Sequence, residues 1–221
     1  MTLHRSIAAA SVEGVAIGAA PQSLFAIHET DCAAAIWQRA PLTAFQDWIG
    51  ALPVDQLPRA RTILRPNAVR HVMSDLCDGQ DLTPSIERDM LIDDVAALAE
   101  IFARVMQAHF LRLRLDVITT NACRKFHLDS MTARLICTYR GTGTQYGLSS
   151  SQADPTADPR HVHTTPTGCP IMLRGSLWPV EMAQTLLHRS PPIEGTGEAR
   201  LVLVLDPVSD LNAARDEDLL H

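Results

Sequence analysis

The sequence predicts an α+β fold, mainly β: a double-stranded β-helix (jelly roll) preceded by a helical N-terminal segment that packs on one sheet. Three observations predict it. Apolar residues recur at helical spacing between Ser85 and His109. At Phe110 the period changes to two, the signature of a half-buried strand. Beyond that point, short apolar runs are divided by Gly, Pro and Ser, which suits a sandwich better than alternating βα units.

Residues 1–20 read as a mature or partly disordered N-terminal extension, and 21–221 as a single domain. Ile7 to Ala20 is rich in small apolar residues, but Glu13 interrupts it and the Leu-rich run of a secretory signal is missing. The expected location is therefore cytoplasmic. Residues 21–109 read as mostly helical. Ala44 to Ile49 forms an amphipathic turn or two that Gly50 and Pro53 end. Pro84-Ser85 supplies the start of the longest helix, with Glu87 and Asp89 in its first turn, where the helix dipole favours acids. Residues 110–207 form the jelly-roll core. It opens on Leu111, Leu113, Leu115 and Val117 alternating with Arg112, Arg114 and Asp116, and the arginines read as a solvent face. Further strands are expected at 124–129, 132–139, 143–147, 161–165, 170–174, 184–188 and 199–206, with a C-terminal tail at 208–221. Ser149 to Pro159, polar and carrying two prolines, reads as a mobile loop beside the sheet mouth.

A net charge of −6 gives no electrostatic footprint for nucleic acid or an anionic membrane, and no apolar run is long enough to span a bilayer. The five cysteines are dispersed with no CxxC pair, which fits reduced thiols and argues against a four-cysteine zinc site.

The residues with chemistry begin at Phe126-His127-Leu128-Asp129. On a strand, positions two apart share a face, so His127 and Asp129 would converge. An imidazole and a carboxylate there make two-thirds of the facial triad of non-haem Fe(II) oxygenases, and His188 on a later strand supplies the third ligand. Arg200 lies twelve positions beyond His188. In 2-oxoglutarate-dependent oxygenases a basic residue about one hairpin after the distal His clamps the cosubstrate's far carboxylate, a task suited to the guanidinium fork. Arg134 competes for that role, with Asn121 and Tyr139 as further candidate cosubstrate contacts. Arg134 and Tyr139 can both point inward only if a bulge intervenes. Thr144 could line the same cavity. His161 and His163 form a second same-face pair, read as solvated histidines, and Cys123 and Cys137 read as small hydrophobes near the site.

Lys125 to Asp129, Arg134 to Thr144, Pro166-Thr167-Gly168, Ile171 to Gly175 with Trp178, and His188 to Pro192 together resemble a bacterial family, domain of unknown function 1826. The resemblance runs from about Asp31 to Pro207, with Arg174 where that family is expected to prefer Lys. The segment from His188 to Arg200 resembles the distal-His segment of prolyl-hydroxylase-type enzymes. These resemblances imply a metal role, with a link to bacterial zinc homeostasis. The expected function is an Fe(II)/2-oxoglutarate-dependent dioxygenase with a small-molecule cosubstrate and an unidentified primary substrate. The alternative is a zinc-binding protein using the same three residues without redox chemistry.

Overall fold

The computed structural model describes residues 12–151, 153–180 and 184–209. The longest helix, α3 (Ile86–Met106), starts where the sequence places it: the Ser85 side chain accepts a hydrogen bond from the Arg88 N–H and caps the first turn. It ends three residues earlier than expected, because Gln107 adopts a left-handed conformation (φ 52°) that turns the chain into the first long strand. Two shorter helices precede it, α1 (Thr43–Ala51) and α2 (Val69–Gly79).

The strands are β1 (Val15–Gly18), β2 (Ala34–Trp37), β3 (Ala60–Leu64), β4 (Phe110–Ile118), β5 (Ala133–Arg140), β6 (Gln145–Leu148), β7 (His163–Thr164), β8 (Ile171–Arg174), β9 (Leu186–Arg189) and β10 (Arg200–Val208). They form a seven-stranded sheet, β1-β2-β8-β5-β10-β4-β3, and a three-stranded sheet, β7-β6-β9. Every pairing is antiparallel except β1 with β2. The protein is therefore α+β, mainly β, with two sheets.

Two expectations are corrected. Residues 15–18 are not an unstructured extension but an edge strand, held by its pairing to β2. The region 21–109 is helical over most of its length and also contributes β2 and β3, runs too short for their periodicity to separate strand from helix. Residues 124–129 form no regular strand: only His127 bridges, to His188. Residues 1–11 and most of the expected tail, 210–221, lie outside the described residues.

Side-chain parity on the large sheet sorts two cores. Leu111, Leu113, Leu115, Leu135, Cys137, Leu201, Leu203 and Leu205 face the helices and pack with Phe102, Leu98 and Val95 of α3. Ile136, Val202 and Val204 face the small sheet and pack with Tyr146 and Leu186. Strands covered on both faces read as continuously apolar, as β10 does. Phe102 is fully buried, so Phe102→Ala is expected to lower unfolding free energy by about 3–5 kcal/mol in chemical denaturation. No helix of the described residues is long and apolar enough to cross a membrane.

Candidate metal centre

His188 sits on β9, between Tyr146 of β6 on one side and His127 on the other. The His127 N–H donates to the His188 carbonyl and the His188 N–H to the His127 carbonyl, both at 3.0 Å, which sets the two imidazoles side by side with centroids 4.5 Å apart. Two residues on, Asp129 is fixed by the turn that follows. Its carbonyl accepts from the Ser176 N–H at 2.8 Å, over Gly175. A Cβ at Gly175 would lie 2.1 Å from the Met131 carbonyl oxygen and 2.7 Å from that of Asp129, so only glycine lets this turn seat.

The ligand atoms of His127, Asp129 and His188 lie within 4.8 Å of one another, and the group could hold a metal ion. Nδ1 of His127 lies 2.9 Å from the Lys125 carbonyl oxygen. Since a carbonyl only accepts, Nδ1 carries the hydrogen, and Nε2 turns its lone pair toward Asp129, 3.6 Å from Oδ1. Nε2 of His188 is 3.2 Å from Oδ2 of Asp129, yet that buried oxygen receives no aligned hydrogen bond. A buried carboxylate oxygen without a donor, facing two imidazole nitrogens, suits a cation, and the oxygen–nitrogen donor set suits Fe(II) or zinc.

The electrostatics agree in sign. Burial pushes the Asp129 carboxyl up, but the two imidazoles and the Arg134 guanidinium outweigh it and hold it well below the usual carboxylate range. The neighbouring Asp129 carboxylate, which favours the protonated ring, raises the His127 pKa against its burial, whereas burial lowers that of His188, which is 4% exposed.

Arg200 faces the same cavity, about 150 Å³, together with His127, His188, Val202 and Val204. Its Nε donates to the Thr142 carbonyl at 2.6 Å, and its Nη atoms to Ser190 Oγ at 3.0 Å and Thr138 Oγ1 at 3.4 Å. It is 1% exposed, and among the described residues no carboxylate lies in ion-pair contact with it. Burial pulls its pKa down to about 10. The cavity thus holds a buried cation in no ion-pair contact among the described residues, offset only at a distance by the Glu198 carboxylate.

The other candidates are rearranged. Arg134 lines the cavity but is engaged: Nε and Nη2 donate to the two oxygens of Asp206 at 2.7 and 2.9 Å, and Nη1 to Asp129 Oδ1 at 2.7 Å. It orients Asp129 and has no fork left for a cosubstrate. Asn121 accepts from the N–H groups of Ile193 and Glu194 and donates to the Glu194 carboxylate, which makes it a loop clasp. Tyr139 points the other way, into the helix-side core, with its hydroxyl on Asp94 Oδ2 at 2.7 Å. A bulge does occur where β5 meets β10, between the pairs Leu201–Arg140 and Val202–Thr138, but it leaves Thr138 and not Tyr139 facing the cavity. Cys137 is likewise on the helix side, whereas Cys123 and Thr144 line the cavity. His163 stacks on Tyr146, and His161 is exposed. Asp206, Thr138 and Arg114 are the members that sequence reasoning passed over. Arg112 and Arg114 do not form a solvent face: Arg114 lines the cavity with a side chain 21% exposed. Asp206 was signalled by the period-two series Arg200, Val202, Val204, Asp206.

A prolyl-4-hydroxylase from Pseudomonas putida is similar in structure at 14% identity, covering 77% of this chain and 95% of that one, with a TM-score of 0.36. AviO1 from Streptomyces viridochromogenes Tue57 is similar at 11% identity over 87% and 97% of the two chains, with a TM-score of 0.39. No curated protein matches the chain. The model of the family described as protein of unknown function (DUF1826) matches residues 18–206, which hold the His127, Asp129 and His188 group and Arg200, and the chain belongs to that family.

Proposed function

We propose that this protein is a non-haem Fe(II), 2-oxoglutarate-dependent oxygenase built on a double-stranded β-helix. The observation that carries the reading is the buried Arg200, in no ion-pair contact among the described residues, in the cavity that His127 and His188 line beside Asp129. Burying an unpaired charge is costly, and a dicarboxylate anchored at one end near the imidazoles would neutralise it at the other. Two facing, mainly antiparallel sheets with the candidate site between them support the jelly-roll reading.

His127, Asp129 and His188 would hold the metal, leaving its remaining positions open. Bound Fe(II) would supply the redox chemistry that side chains lack. Arg200 receives the cosubstrate's far carboxylate, helped by the Ser190 and Thr138 hydroxyls, which rotate to donate once an acceptor is present. The Nδ1–H of His127 on Lys125 and the Arg134 bond to Asp129 lock the ligand orientations. Val202, Val204 and Ile136 make the cavity wall apolar and strengthen these contacts. The zinc alternative uses the same three residues and leaves Arg200 without a role.

Calorimetry with 2-oxoglutarate on metal-loaded protein under anaerobic conditions tests this. Arg200→Ala is expected to weaken binding at least about thirtyfold, as for loss of one partner of a buried charge pair. Absence of 2-oxoglutarate binding to native protein loaded with Fe(II) or zinc overturns the oxygenase reading and leaves zinc binding ahead.

A further inference from the structure

Among the described residues, one guanidinium in this cavity has no hydrogen-bonded acceptor. Arg114 of β4 lies opposite Val204 in register and faces the cavity, with its side chain 21% exposed. Among the described residues it donates no hydrogen bond, and its buried Nε has no partner. Its one ion-pair contact is Nη2 at 3.6 Å from Asp206 Oδ2, and both oxygens of Asp206 already accept from Arg134. Arg61 stands beside it in register on β3, which adds positive charge. Asp116, two residues along the same face, also lines a neighbouring cleft of about 250 Å³ with Arg59 and Arg61. With Arg134 matched by Asp129 and Asp206, and Arg200 matched by the proposed cosubstrate, Arg114 is the cation left over in the cavity of the histidines.

We infer that Arg114 reads the primary substrate, and that this substrate presents a carboxylate to it. The inference rests on the oxygenase reading for the word substrate, but the anion site stands on its own contacts. A planar carboxylate fits the guanidinium fork with two parallel hydrogen bonds. Asp116 on the same face makes a dianionic phosphate the poorer ligand, through like-charge repulsion.

The test uses butyrate, its uncharged isostere butyramide, and inorganic phosphate as probes, titrated by calorimetry into zinc-loaded protein. Saturating 2-oxoglutarate keeps Arg200 occupied. The same titrations on the Arg200→Ala protein, without 2-oxoglutarate, remove that second anion site altogether. Butyrate is expected to bind at least about tenfold tighter than butyramide, as one charge-assisted pair implies. Arg114→Gln should erase that preference and leave butyramide binding unchanged, and Arg114→Lys should restore part of it. Unchanged butyrate affinity in Arg114→Gln overturns the proposal, as does phosphate binding more tightly than butyrate. Should 2-oxoglutarate fail to bind the native protein, the oxygenase reading falls while the Arg200→Ala titrations still decide the role of Arg114.

Discussion

Asp129→Ala is expected to abolish stable metal binding, with affinity falling by more than about a hundredfold. Loss of an outer partner of a metal ligand costs about 10–100-fold, and Asp129 is placed as a ligand itself. It is also the one anion among the three, so its removal leaves two imidazoles beside Arg134, an arrangement that repels a cation. The fold should survive, because Arg134 keeps its two bonds to Asp206. Metal stoichiometry by native mass spectrometry, on protein purified without an affinity tag, reads the effect directly, with urea denaturation alongside. Full occupancy in Asp129→Ala would remove the site from this cavity.

Asp206→Ala should destabilise the protein by about 3–5 kcal/mol, the range for breaking a buried pair from one side. Asp206 is 4% exposed, and its loss takes both oxygens from Arg134 and the carboxylate in ion-pair contact with Arg114. Two guanidiniums then share a cavity wall without that carboxylate. Freed on that side, Arg134 no longer aims Asp129, so metal affinity should also drop about 10–100-fold. Chemical denaturation with a metal titration on the same preparation checks both. A stability loss under about 1 kcal/mol would show that solvent already screens the network.

Local signals were legible in the sequence, and pairings across distance were not. The Ser85 cap and the change of period at Phe110 are written within a few residues, and α3 and β4 lie where they indicate. His127 and Asp129 share one tripeptide, and parity along β10 relates Arg200 to its inward valines. By contrast, Arg134 looked available because its partner Asp206 is 72 positions away. Tyr139 looked inward because Asp94, which holds its hydroxyl, lies on a helix 45 positions earlier. β2 was missed because Ala34-Ala35-Ile36-Trp37 is only four residues long and its two alanines dilute the strand preference of Ile36 and Trp37, so its pairing to β8 decides its state.

Strand β10 has a consequence of a different kind. Arg200, Val202 and Val204 line the cavity and Asp206 on the same face holds Arg134, while Leu201, Leu203 and Leu205 meet the helices, so core and chemistry are interleaved letter by letter. Deleting or inserting one residue here would exchange the two sets, sinking two charges among the leucines and greasing the cavity. Variation along this strand is therefore open to substitution and closed to changes of length, and any lineage that alters the cavity must do so one side chain at a time.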